Sequence, residues 1–306
     1  MISGKIKPRL VFFGNERLVS GLTHTDTPVL NSLIQSGYEV LAVVSHHTEA
    51  RSRNVRQLEV AEIAKQHNIP VFLPSKSIEI YDTLAEFNAD AGILVAYGRI
   101  IPQKIIDLFP AGIINVHPSL LPKYRGPTPI ESPIAHGDTK TGVSIMQLTS
   151  GMDEGPVYAQ ETITLTTQDT KFTVYESLAA KSAKLLLATL PSILNGTLQP
   201  TPQNDNDATY CQLLTKNDAF INPLLLTASQ ANAHVRAYLK FPGTRLTIGS
   251  IEVILTNTHV SDSATELSIP CADGKFLAID SLKPLGKNEM PVKAFLAGYK
   301  SRLDTA

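Results

Sequence analysis

Asn115, His117 and Asp153 are the side chains in this sequence whose types and spacing could do chemistry together. They sit in the runs Asn115-Val116-His117-Pro118-Ser119-Leu120-Leu121-Pro122 and Gly151-Met152-Asp153-Glu154-Gly155-Pro156. Asn115 and His117 are two residues apart, so on an extended segment their side chains point the same way. An amide can donate to a developing oxyanion, while an imidazole and a carboxylate manage protons. Those three groups meet the needs of an acyl transfer to an amine.

Strand ends must position them. Gly112-Ile113-Ile114 reads as the end of a buried strand, and Val143 to Leu148 as another, with Asp153 in the Gly-rich turn after it. Upstream, apolar strands are expected at Leu10–Phe13, Glu39–Ser45, Ile69–Phe72 and Ala91–Tyr97. They alternate with helices at Thr27–Gly37, Leu58–His67, Ile78–Asn88 and Ile101–Phe109. This alternation predicts an α/β fold, a Rossmann-like, mostly parallel sheet with helices on both faces. Open sheets of that kind take ligands at the carboxyl ends of central strands, where His117 falls. A polar strand (Tyr158–Thr166) and a long amphipathic helix (about Thr173–Asn195) follow. A Pro/Asn/Asp/Thr-rich linker spans about Gln199–Thr209, and it puts the domain boundary between 1–204 and 205–306. Beyond it, a helix from Ala228 to Phe241 precedes short alternating strands at Thr244–Ile248, Ile251–Thr256, Glu266–Ile269 and Phe276–Ile279. These suggest a small C-terminal β-barrel, OB-like.

Composition excludes more than it assigns. A net charge of −1 gives no global field for nucleic acid or membrane, although a local basic patch remains open. The two cysteines, Cys211 and Cys271, are too few for a disulfide framework and lie in no metal or redox motif. The N-terminal segment has no signal-peptide core and no membrane span, which leads to a cytoplasmic expectation. Gly14 is followed by Asn15-Glu16-Arg17, so the Gly-x-Gly-x-x-Gly of a dinucleotide site is missing. Taken alone, Asp153 would be a turn carboxylate, and His24, His46, His47, His67, His136, His234 and His259 read as structural or surface residues. The basic cluster Arg51, Arg53 and Arg56 reads equally as a solvated loop or a phosphate contact. Lys123 and Arg125 are better placed for phosphate.

The segments Ala96-Tyr97-Gly98, Asn115 to Gly126, Gly137-Asp138, Thr141 to Met146 and Gly151-Met152-Asp153 together resemble the folate-dependent formyltransferase family. Leu213 to Lys216, Arg236-Ala237, Phe241-Pro242-Gly243 and Leu282 to Met290 extend the resemblance to the second domain of the family's methionyl-tRNA formyltransferase branch. The resemblance implies that Asn115, His117 and Asp153 are catalytic. It implies that Ser119, Leu120, Leu121 and Pro122, with Ala96, Tyr97 and Gly98, contact the folate. The implied donor is 10-formyltetrahydrofolate, without a metal. The implied acceptor is the α-amine of initiator methionyl-tRNA, met by a monomer with no membrane association.

Three segments depart from the family pattern. Gly14-Asn15-Glu16 replaces Gly-Thr-Pro. His46 to Arg53 replaces a Gly-Arg-Gly-Lys-Lys loop that reaches tRNA. Lys240-Phe241-Pro242-Gly243 stands for Pro-Trp-Pro-Gly, in a chain without tryptophan. Formyl transfer therefore rests on more residues than tRNA choice does. The nearest alternative is an amino-sugar nucleotide N-formyltransferase using the same donor and trio. A purine-pathway formyltransferase, a formyltetrahydrofolate hydrolase and a non-catalytic tRNA-binding protein stand further off.

Overall fold

The computed structural model describes residues 7–46 and 58–303. The Arg51, Arg53 and Arg56 cluster, and the His47–Arg53 part of the departing loop, lie outside the described residues.

The first half alternates as expected. Strands β1 (Arg9–Gly14), β2 (Glu39–Val44), β3 (Val71–Phe72), β4 (Ala91–Val95) and β5 (Ile113–His117) are separated by helices α1 (Pro28–Gln35), α2 (Glu59–Gln66), α3 (Tyr81–Glu86) and α4 (Gln103–Ile106). Helix α5 (Glu131–His136), strands β6 (Lys140–Gln147) and β7 (Val157–Thr164), and helix α6 (Lys171–Leu194) follow. The seven strands form one sheet in the order β3-β2-β1-β4-β5-β6-β7. β1 to β5 are parallel, β6 pairs antiparallel with β5, and β7 pairs antiparallel with β6. The strand order reverses between β1 and β4, which opens a crevice at their carboxyl ends.

Two apolar layers explain the near-continuous hydrophobic runs of the inner strands. Leu10, Phe12, Ile93, Ile114 and Val116 pack with residues of α1, α2 and α6 on one face. Val11, Phe13, Leu94 and Ile113 pack with Leu84 of α3 and Ile105 and Ile106 of α4 on the other. A strand buried on both faces has no polar side to alternate with. Gly14 ends β1 where an added Cβ would lie 1.8 Å from the Val95 carbonyl oxygen, so this crossing of chains admits no side chain. Among the described residues α6 is the one helix long and apolar enough to cross a membrane. Its Leu178, Leu186, Leu190 and Ile193 are buried in the cores of this fold. Thr170 and Thr173 cap it reciprocally, each side chain accepting the other's backbone N–H.

The second half has α7 (Ala228–Ala237), β8 (Thr244–Ile248), β9 (Ile251–Ser261), β10 (Ser268–Pro270), β11 (Phe276–Pro284), β12 (Met290–Pro291) and α8 (Val292–Leu303). Its strands form an antiparallel half-barrel in the order β10-β11-β9-β8, with β12 paired to β11. Val253, Leu255, Leu277 and Leu282 close its core against Val235 of α7 and Phe295 of α8.

Several expected boundaries shift. The helix expected to reach Phe241 ends at Ala237, because the chain turns through Lys240 at φ 64° into Phe241-Pro242. The expected helix from Ile101 to Phe109 is a single regular turn at 103–106. The strand placed before Asn115 continues through His117, so both side chains project from β5 itself. Helices α5 and α8 and strand β12 carried no pattern strong enough to be expected.

Candidate active site

Alternation along β5 sorts its side chains. Ile114 and Val116 enter one core while Ile113 enters the other, and Asn115 and His117 share the face of Ile113 beyond the end of that core. Both are only 5% exposed, so their polar atoms need partners. Asn115 is paired in the sheet with Met146, and His117 with Ser144, which fixes their height against β6.

The turn after β6 brings Asp153 to them. Its Oδ1 lies 3.4 Å from Asn115 Nδ2, and its Oδ2 accepts the Gly126 amide at 2.8 Å. Oδ2 also lies 3.6 Å from His117 Nδ1. His117 Nε2 is 2.9 Å from the Tyr124 carbonyl oxygen. That oxygen can only accept, so Nε2 carries a hydrogen and Nδ1 is the nitrogen that faces the carboxylate. The three residues the sequence singles out therefore converge on one point at the carboxyl end of β5.

The 118–126 loop is braced from behind. Ser144 Oγ donates to the Ser119 carbonyl at 2.6 Å and accepts the Leu121 amide at 3.1 Å. Gln160 Nε2, on β7, reaches both the Leu121 carbonyl and Ser144 Oγ at 2.8 Å. Ser119 Oγ turns inward to the Lys123 carbonyl at 2.6 Å, and Ser119 is fully buried. Of Ser119, Leu120, Leu121 and Pro122, only Leu120 and Pro122 keep exposed surface for a ligand. Tyr124 donates its hydroxyl to Asp138 Oδ2 at 2.8 Å, and burial together with that carboxylate pushes the phenol far above its ordinary value.

Ala96, Tyr97 and Gly98 follow β4 at the same sheet end, with Ala96 at φ 51° and Gly98 at φ 68°. The Tyr97 ring is 1% exposed and packs edge-on against Phe13 and His46. Any ligand contact from this segment would come from its backbone.

One expectation is overturned. Arg125 is not a surface cation for phosphate: it is 1% exposed, with Nη2 on Asp205 at 2.7 Å, Nη1 on the Tyr210 hydroxyl at 3.0 Å and Nε on Gln203 at 3.1 Å. The reason is the segment 199–209, which the composition marks as a linker, together with the residues just after it. They pair with the loop after β5: Arg125 N donates to the Thr209 carbonyl, Cys211 N to the Arg125 carbonyl, and Thr209 N to the Pro122 carbonyl. Burial pushes the Cys211 thiol up, so it stays protonated beside the Arg125 carbonyl at 3.3 Å. Gln203, Ser144 and Gln160 had no motif to reveal them. Their roles arise from contacts 16 or more residues away. Lys123 remains exposed.

Among the described residues no group of three or more His, Cys, Asp or Glu side chains could hold a metal. A cavity of about 210 Å³ opens between α5 and α7, lined by Asp138, Gln230, Asn232 and Arg236, and none of the trio borders it.

Known proteins resemble this chain in sequence and fold. The model of the formyl transferase family matches residues 17–190. The chain is 33% identical to a methionyl-tRNA formyltransferase of Lactobacillus acidophilus, across 93% of this chain and 96% of the relative. A phosphoribosylglycinamide formyltransferase from Bacillus halodurans is 29% identical with a TM-score of 0.52, covering 62% of this chain and 97% of its own. The N-formyltransferase from Helicobacter canadensis, in complex with folinic acid and dTDP-3-aminofucose, has a TM-score of 0.68. It covers 92% of this chain and all of its own, and at 18% identity that likeness speaks to the fold alone.

Proposed function

The chain belongs to the formyl transferase family, and from that premise we propose that it transfers the formyl group of 10-formyltetrahydrofolate to the α-amine of initiator methionyl-tRNA. The relatives that are about a third identical over nearly its whole length include methionyl-tRNA formyltransferases, and the second half of the chain aligns with theirs. The reaction belongs in the cytoplasm and in translation initiation. The observation that carries the reading is the convergence of Asn115, His117 and Asp153 at one strand end.

In this reading the neutral amine attacks the formyl carbon, and Asn115 Nδ2 donates to the formyl oxygen as it gains charge. One hydrogen of that amide can face Asp153 Oδ1 at 3.4 Å, which leaves the other for the oxyanion. The C–N bond to the folate then breaks. The proton released by the amine passes through the His117 Nδ1 and Asp153 pair to the folate nitrogen that leaves. No covalent enzyme intermediate forms, and the products are N-formylmethionyl-tRNA and tetrahydrofolate. Tyr124 supports this by taking the Nε2 hydrogen on its carbonyl, so Nδ1 alone is left to the reacting centre. Leu120 and Pro122 are the loop surfaces available to a flat folate ring, held in place by Ser144 and Gln160. The residues fit such a donor, since a braced apolar loop borders the trio.

The test is formyl transfer from 10-formyltetrahydrofolate to initiator methionyl-tRNA, with charged elongator tRNA and an amino-sugar nucleotide alongside. Preferential formylation of the initiator is expected. Activity on the sugar alone, or release of formate alone, would keep the chemistry and replace the acceptor.

A further inference from the structure

Asp153 needs outside support. Its backbone sits at φ 52°, in the left-handed region that a non-glycine residue occupies at a cost. The turn around it is tight: at Gly155 an added Cβ would lie 1.8 Å from the Gln147 carbonyl oxygen.

We propose that Gln203, backed by Arg125, is a positioning residue that holds the Asp153 turn in its reactive geometry. This rests on the reading of Asp153 as part of the formyl-transfer site. Gln203 Nε2 donates to the carbonyls of Asp153 and Gly155, each at 2.7 Å. Its Oε1 accepts from Arg125 Nε at 3.1 Å and Nη2 at 3.0 Å. Arg125 has only donors, so the amide oxygen must face it and the NH2 group must face the two carbonyls. All four hydrogen-bonding positions of the amide are filled, and its orientation has no alternative. The guanidinium is fixed in turn by Asp205 and Tyr210. The residue after Arg125 completes the clamp, because the Gly126 amide holds the Asp153 carboxylate at 2.8 Å. One short segment thus grips Asp153 by its side chain directly and by its backbone through Gln203.

Gln203→Glu separates the two halves of this relay. A carboxylate of the same length still accepts from Arg125 but has no hydrogen for either carbonyl. We expect kcat for formyl transfer to fall about ten- to a hundredfold, with KM for donor and acceptor within about twofold, as for a group that shapes only the transition state. The discriminating measurement is a cycle with Asp153→Asn. If Gln203 acts through the Asp153 carboxylate, Gln203→Glu costs less than about twofold in that background. A general structural role would cost the same factor in both backgrounds and would overturn the proposal, as would a wild-type kcat for Gln203→Glu. If Gln203→Glu does not fold, Gln203→Met in the same cycle gives the same decision. An Asp153→Asn enzyme with full activity would sink the site reading and this inference together. A crippled Asp153→Asn beside an unaffected Gln203→Glu would sink this inference alone.

Discussion

Asp153 meets His117 at 3.6 Å with a carboxylate oxygen that the Gly126 amide already holds at 2.8 Å. The carboxylate is therefore fixed before the imidazole uses it, and the pair has a preset direction. His117→Ala should lower kcat by about 10²–10⁴, the usual range for a positioned proton-transfer group. Single-turnover formylation with both substrates saturating measures this, and near-native rates would remove His117 from the mechanism.

Asn115 faces a different test, because its role is donation. Asn115→Ala should cost about 10²–10³ in kcat, as loss of one oxyanion donor does elsewhere. Asn115→Asp keeps the shape and sets a second carboxylate against Asp153 Oδ1, now 3.4 Å from the Asn115 amide nitrogen. It should be at least as damaging. An active Asn115→Asp would show that the amide hydrogen is not what the reaction uses.

Lys123 and Arg125 should separate in salt titrations of tRNA binding. Lys123 is exposed beside the site, whereas Arg125 is spent inside the fold. Lys123→Ala should reduce the slope of log affinity against log salt by about one and weaken binding. Arg125→Lys should leave that slope unchanged, even if it slows turnover. The opposite ranking would put Arg125 on the acceptor's path.

Lys171 joins the two halves of the chain. Fully buried, it donates to the Phe241 carbonyl at 2.8 Å and to Ser20 Oγ at 3.1 Å, with Glu131 Oε1 at 3.9 Å. Lys171→Met should destabilise by about 3–5 kcal/mol because it leaves the buried Glu131 carboxylate with its Ser20 hydrogen bonds but without that cation. The double variant Lys171→Met/Glu131→Gln should recover part of the loss. Urea midpoints measure both, and equal midpoints for wild type and the single variant would mean that the pair contributes nothing.

Glu16 contributes a pH dependence of its own. Its buried carboxyl accepts the Val29 and Leu30 amides at 2.8 Å each, at the start of α1. Burial pushes it from the ordinary 4.5 up to about 7, although the two amides pull the other way. A raised folded value lends stability that is fully present below about 4.5 and lost as pH rises through about 7. Thermal midpoints of the wild type should therefore decline from pH 5 to 7.5 relative to those of Glu16→Gln. A constant difference across that window would show that Glu16 keeps its ordinary value.

The site was legible where chemistry followed local alternation. Asn115 and His117 share a face because they are two apart on a strand, and Asp153 announced itself by a Gly-rich turn after a second strand. The sheet was legible because strands buried on both faces carry unbroken apolar runs, as Leu10 to Phe13 do. Arg125 was misread because an arginine beside prolines and glycines looks exposed until its acceptors, contributed by residues 203–210, are brought in. Gln203 had no signal, since an amide in a polar linker acquires meaning only from the carbonyls it meets. α5 was missed because six residues containing a proline give too little periodicity to stand out.

The pairing of residues 122–128 with residues 209–212 sets a limit on modularity. The end of the compositional linker and the residues after it brace the loop beside the trio, and an added Cβ at Gly126 would lie 2.4 Å from the Cys211 carbonyl oxygen. A chimera that swaps second halves among such enzymes must therefore cut after Gln212. A junction placed earlier in the segment would exchange part of that brace along with the second half.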